Sequence, residues 1–179
     1  MSLDNFSVDL TNVTERGVLI APSVQRVEVG EWEVKEKADT GNVVFYIPVT
    51  ILGGDYDKMK VTYYHTVTSH QMSSAEWLKL LASVGILKDE DRGKDGKGSL
   101  ITSIKLGTPV EGTDKFKVAA IKVNGQERKT GGRKAFAVIS NKPTQDDPDV
   151  KMNWVESIKA VDTPSASGTS TAPSNNKTW

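Results

Sequence analysis

Cysteine is missing altogether, so no disulfide, thiolate metal site or cysteine nucleophile is open to this chain. Histidine is nearly missing. His65 and His70 are the only two, and their spacing fits no metal site with a third ligand nearby. Net charge is absent as well: Lys+Arg and Asp+Glu both number 23, so only local clustering can attract a polyanion. The longest strongly apolar stretch, Val43 to Leu52, falls far short of the ~20 residues of a membrane span. The opening MSLDNFSVDL has neither the basic nor the apolar region of a signal peptide. These absences lead to the expectation of a soluble cytoplasmic protein with no membrane partner. There is no G-x-S-x-G, P-loop or G-x-G-x-x-G. The acidic runs Asp89-Glu90-Asp91 and Asp146-Asp147-Pro148-Asp149 lack EF-hand spacing and read as solvated charge. His65, on the apolar face of a strand pattern, reads as a satisfied core or rim histidine. No enzyme, metal or cofactor is expected.

What is present is alternation. Gly17 to Lys37 carries apolar points at Val18, Ile20, Val27, Val29, Trp32 and Val34, and its phase changes at Gly30, the mark of a bulge or bend. Val43 to Leu52 sets Val43, Phe45, Ile47, Val49 and Ile51 on one face and Val44, Tyr46, Pro48 and Thr50 on the other. Pro48 cannot donate to a ladder, which points to an edge or a bulge. Met59 to Thr68 alternates Met59, Val61, Tyr63, His65 and Val67 against Lys60, Thr62, Tyr64 and Thr66. A helix follows over 73–84: Ser73 and Glu76 make a capping box, Trp77, Leu80, Leu81 and Val84 make one stripe, and Gly85 stands where a C′ glycine ends a helix.

Lys88 to Gly98 is a charged, Gly-rich loop with nothing to bury. Leu100, Ile101, Ile104 and Leu106 mark an ordered return segment of unassigned type. Phe116 to Val123 and Arg133 to Ser140 are two further strands joined by a basic hairpin connection over 124–132. Past Pro143, Met152, Trp154 and Ile158 are spaced to tack a short helix or arm onto the body. Residues 163–178 have nothing to bury and read as disordered, ending in a bare Trp179.

Three strands, a helix and two strands is the order of the OB-fold. The expectation is a mainly β protein: a five-stranded OB-like Greek-key barrel with one helix between strands 3 and 4. An N-terminal arm (1–16) precedes the barrel domain (17–142), and a flexible C-terminal tail (143–179) follows it.

From Lys115 to Lys134 the cations are Lys115, Lys117, Lys122, Arg128, Lys129, Arg133 and Lys134, against the single anion Glu127, or 7 − 1 = +6. On two strands and their hairpin these converge on one rim, a workable phosphate track. The alternative is a sheet edge kept soluble by its charges. Stacking needs flat rings beside cations. Tyr46 and Tyr64 lie opposite the main apolar sets of their strands, and Lys60 shares a face with Tyr64. Trp32, Phe45, Trp77 and Phe116 read as core. The candidate nucleic-acid contacts are therefore Tyr46, Lys60, Tyr64, Lys117, Lys122, Arg128, Lys129, Arg133 and Lys134, with Trp179 a candidate partner contact.

The opening Gly17 strand, NVVFYIPVTILGGDYDKMKV, SSAEWLKLLASVGI and FKVAAIKVNGQERKTGGRKAFAVIS together resemble a family of small phage-encoded single-stranded DNA-binding proteins over about residues 17–142. The resemblance implies an OB-like barrel, sequence-tolerant binding of single-stranded DNA, and a role in phage DNA replication or recombination in the host cytoplasm. It also implies a flexible tail that recruits replication or recombination proteins, and it leaves room for a homo-oligomer. The tail departs from the familiar version, because Lys177 sits beside Trp179 and the acidic cluster lies far upstream. A second class remains open: a virion structural or assembly protein with a β-barrel and a flexible tail.

Overall fold

A computed structural model describes residues 18–68, 75–93 and 100–161. The expected N-terminal arm, the capping serine Ser73, His70, the centre of the charged loop and the end of the tail with Trp179 lie outside the described residues.

The described chain is mainly β. It forms one antiparallel sheet of nine strands with a single α-helix. The strands are β1 (Ser23–Val29), β2 (Glu33–Glu36), β3 (Val43–Ile51), β4 (Lys60–Val67), β5 (Thr102–Pro109), β6 (Phe116–Val123), β7 (Gln126–Arg128), β8 (Arg133–Pro143) and β9 (Lys151–Lys159). The helix α1 (Ala75–Ser83) lies between β4 and β5. Hydrogen-bonded neighbours run β5-β6-β2-β3-β1-β8-β9, with β4 on β3 and β7 on β6. As a hydrogen-bonded sheet it is open. β9 nonetheless comes back beside β4, and the Tyr64 and Trp154 rings stack across that gap with centroids 5.5 Å apart.

The phase change at Gly30 is a break between β1 and β2. Val29 pairs with Val49 and Glu33 with Tyr46, so residues 30–32 face only residues 47–48. Three residues opposite two is a bulge. The corner is tied down by Gly30 N–H donating to Pro48 O (2.8 Å), Trp32 N–H to Thr130 Oγ1 (3.1 Å) and Val118 N–H to Trp32 O (2.8 Å). Below the corner β1 pairs with β8; above it β2 pairs with β6. Pro48, though inside a strand paired on both sides, sits where the bulge demands no donor.

The core side of the sheet packs on α1. Trp32, Phe45 and Trp77 are fully buried and meet ring to ring: Phe45 stacks on Trp77 at 4.9 Å, and Trp32 meets both edge-on. Such contacts contribute about 0.5–1.5 kcal/mol each beyond the area they bury. Gly85, at φ 70°, ends the helix through a Schellman closure, with Gly85 N–H on Ala82 O and Ile86 N–H on Leu81 O. Phe116, expected in the core, is instead 41 % exposed near the free edge beside Pro109.

Three strands fall outside the expected five: β7, a short strand paired with β6 inside the expected hairpin connection, and β5 and β9, whose patterns hide them. β5 is a sheet edge with register shifts near Leu106, and most of its side chains face solvent, so no alternation marks it. β9 buries Val155 and Ile158, three positions apart, which reads as a helical turn. The ladder explains the spacing: Val138 pairs with Ser157 but Ile139 with Val155, so Glu156 is an extra residue that shifts the phase. The sheet therefore extends to Lys159, past the point where the flexible tail was expected to begin.

A Cβ built on Gly30 would lie 2.9 Å from Pro48 Cγ. Gly30→Ala should therefore destabilise the protein by about 1–3 kcal/mol, as overpacking does. In a Pro48→Ala background, where the Cγ is gone, the same change should cost far less. Urea denaturation of the four proteins in this double-mutant cycle checks it, and additive costs would show that the corner is not set by this contact.

Candidate nucleic-acid interface

Cross-strand partners point their side chains to the same face of a sheet. On β2, β3, β4 and β6 the partners form one row on the face away from α1: Lys117 opposite Glu33, Glu33 opposite Tyr46, Tyr46 opposite Tyr64. Trp154 of β9 continues it. Tyr46 and Tyr64 meet edge-on at 5.3 Å, and Tyr64 lies nearly parallel to Trp154. A lysine caps each end. The Lys115 ammonium is 4.2 Å from the Tyr46 ring centroid, and that of Lys142 is 4.8 Å from Trp154. Tyr64, at 38 % exposure, is the most open of the three rings.

A second row on the same face runs Lys134, Glu28, Thr50, Lys60 across β8, β1, β3 and β4. Of the residues singled out in the sequence, Tyr46, Tyr64, Lys117, Lys60 and Lys134 thus share one face, though in two rows. Lys129 lies in the loop after β7, exposed.

The other three are elsewhere. Arg128 is enclosed: its guanidinium makes a two-pronged pair with Asp91 (2.5 and 2.7 Å) and donates to Ile86 O (2.6 Å). Arg133 donates to Lys129 O and Gly85 O, and burial pushes its guanidinium below its usual pKa, with Arg128 adding to the effect. Both arginines strap the chain after α1 to the β7–β8 connection instead of facing solvent. Lys122 meets Glu127, which Lys105 holds more closely at 2.9 Å, and the Lys105 hydrogen bond keeps the Glu127 carboxyl below its usual pKa.

The +6 run is therefore partly neutralised in space, three carboxylates from outside it meeting three of its seven cations and Glu127 within it a fourth. Lys115 pairs with Glu33 (3.3 Å), Lys117 with Glu31 (3.9 Å), Lys122 with Glu127 (3.9 Å) and Arg128 with Asp91. Outside the run, Lys35 pairs with Asp114 and Lys142 with Glu156. Lys60, Lys129 and Lys134 form no ion pair among the described residues. The exposed pairs are worth little individually and exchange readily for phosphate.

Trp154, Lys115 and Lys142 were not among the residues picked from the sequence for this face. Trp154 was hidden by the β9 bulge. Lys115 and Lys142 belong to it through contacts that no sequence spacing records.

His65 sits by Tyr63, with Tyr63 Oη 3.4 Å from Nδ1, and tilts against Trp77; burial holds its pKa below the ordinary value despite the nearby Glu76. No group of residues able to hold a metal ion is found among the described residues.

The Arg128 hydrogen bond holds Asp91 well below the usual carboxylate range, at about 2, against 3.8 when unperturbed. A depressed folded-state pKa stabilises above the unfolded value and loses that stabilisation as pH falls through the folded one. The contribution of this pair should be constant above about pH 4 and vanish toward about pH 2. Melting curves of wild type and Asp91→Asn from pH 7 to 2 should converge at the acid end; a constant gap would count against the pair. Arg128→Ala should cost about 2 kcal/mol at pH 7, less than the ~3–5 kcal/mol of a fully enclosed pair because the rim is wet.

No protein-family model matches this sequence, and no curated protein matches it either.

Proposed function

We propose that this chain binds single-stranded DNA in a sequence-tolerant way, stacking bases on the Tyr46–Tyr64–Trp154 row. The observation that carries the reading is that row itself, three rings from three strands on one exposed face with a lysine at each end. Every base has a π-face, so stacking on a row of rings is tolerant of sequence, and flanking lysines meet the phosphates. The element order supports an OB-like reading of the fold. The bent β1–β2 pair, β3, β4, β6 and β8 stand for the five strands, and α1 falls between the third and fourth. A role for such binding in DNA replication or recombination is what the resemblance to small phage-encoded single-stranded DNA-binding proteins implies.

A second reading, a virion structural or assembly protein, stands beside it, on an observation that counts against the first. Lys115, Lys117, Lys122 and Arg128 all have carboxylate partners, which weakens the surface as a phosphate track.

Titration of labelled oligodeoxynucleotides at several salt concentrations separates the two. Stacking with a few lysine contacts predicts a log-log salt slope of about 2–3, at ~0.7 per neutralised phosphate on a single strand. Tyr64→Ala should cost ~1–3 kcal/mol of binding for every sequence tested. Arg128→Lys, which disturbs a strap and not the row, should leave affinity unchanged in protein that remains folded. No binding at low salt, or binding indifferent to Tyr64, overturns the stacking reading.

A further inference from the structure

Beside the ring row lies an open cleft of about 530 Å³. Its walls are the Gly30–Glu31 corner, the 129–132 loop and the facing parts of β5 and β6. Two hydrogen bonds tie the loop to the strand corner: Gly132 N–H on Val29 O, and Trp32 N–H on the buried Thr130 Oγ1. Two cations border it, Lys117 and Lys129. Its one carboxylate is Glu31, whose side chain is 75 % exposed and reaches the Lys117 ammonium only at 3.9 Å.

Lys117 belongs to both features. It lies in the same cross-strand row as Tyr46, two strand spacings away or about 10 Å. Its ammonium points toward Glu31 in the cleft. A chain of phosphates leaving the Tyr46 end of the row passes Lys115, over the Tyr46 ring, then meets this lysine, with Lys129 across the cleft.

We propose that the cleft is a backbone subsite of the same single strand, taking phosphodiester groups between Lys117 and Lys129, with Glu31 as the anion that phosphate displaces. This rests on the stacking reading and extends it. The strand is held in two ways along its length, by rings on β3, β4 and β9 and by cations in the cleft. Glu31 acts as a built-in competitor. It occupies Lys117 in the free protein and is repelled by an arriving phosphate, so it lowers affinity without touching a base.

The test is a gain of binding, which a misfolded variant cannot imitate. Glu31→Gln keeps the shape that packs against Gly131 and removes the charge. It should tighten binding of a long oligothymidylate by roughly twofold to fivefold, the scale of a surface ion pair. It should leave binding of a dinucleoside monophosphate, whose single phosphodiester lies between its two bases and so cannot span the ~10 Å from Tyr46 to Lys117, unchanged. Lys117→Gln with Lys129→Gln should weaken only the long oligonucleotide and lower its salt slope by about 1.4, two phosphates at ~0.7 each. If wild type binds no oligonucleotide, both the stacking reading and the cleft fall. If binding is lost in Tyr64→Ala but neither Glu31→Gln nor the double lysine variant changes affinity or slope, the cleft alone is overturned.

Discussion

The structure depends on the contact between Gly30 and Pro48. A strand that pairs with one neighbour along its whole length can join only two layers of a sheet. Here the extra residue at the corner lets one run of chain pair with β8 through β1 and then with β6 through β2. Gly30 is required because a Cβ would strike the proline ring. Proline is tolerated because its carbonyl accepts the corner hydrogen bond while it has no N–H to leave unmatched. Everything on the outer face takes its position from this corner: β3 is held on one side by both halves of the bent strand and on the other by β4. Tyr46 and Tyr64 face each other because of that arrangement.

Charge is organised by the same geometry and in a way that linear counting misses. A run of seven cations against one anion suggests a strongly positive rim. In the fold, carboxylates from β2, the Glu31 corner and the turn after α1 meet Lys115, Lys117 and Arg128, and Glu127 of the run itself meets Lys122. The arginines go furthest inward. Their planar, multi-donor groups suit backbone carbonyls and an enclosed carboxylate, while the lysines stay at the surface. The result is a face whose character comes from rings with lysines at their margins more than from net charge.

How much of this was readable follows from the same physics. β3, β4 and most of β8 were legible because each buries one face and alternates, while β6 showed as a short apolar run that buries Ala120 and Ile121 in succession. The helix was legible through its apolar stripe and its terminal glycine. The break at Gly30 showed as a phase change, since a bulge moves every later side chain to the opposite face. β5 was illegible because an edge strand is held by its ladder and buries little. β9 was illegible because a bulge at Glu156 gave Val155 and Ile158 the spacing of a helix. With β9 went Trp154, and with it a third of the ring row. Arg128 and Arg133 were visible as charges but not as straps, because Asp91 and the carbonyls of Gly85 and Ile86 come near them only in three dimensions.

The stacking of Trp154 on Tyr64 ties the surface to the order in which the chain assembles. β1 pairs with β8, more than a hundred residues downstream, and β9 pairs in turn with β8. Contacts between such distant segments carry a larger loop-closure entropy than local hairpins do. The ring row spans β3, β4 and β9, so it is incomplete in any intermediate that lacks the last strand. Such an intermediate leaves Tyr64 bare beside an unpaired strand edge, a surface prone to association with other chains. The packing of β9 beside β4 thus does two things: it covers a strand edge that has no ladder partner of its own, and it completes the ring row of the outer face.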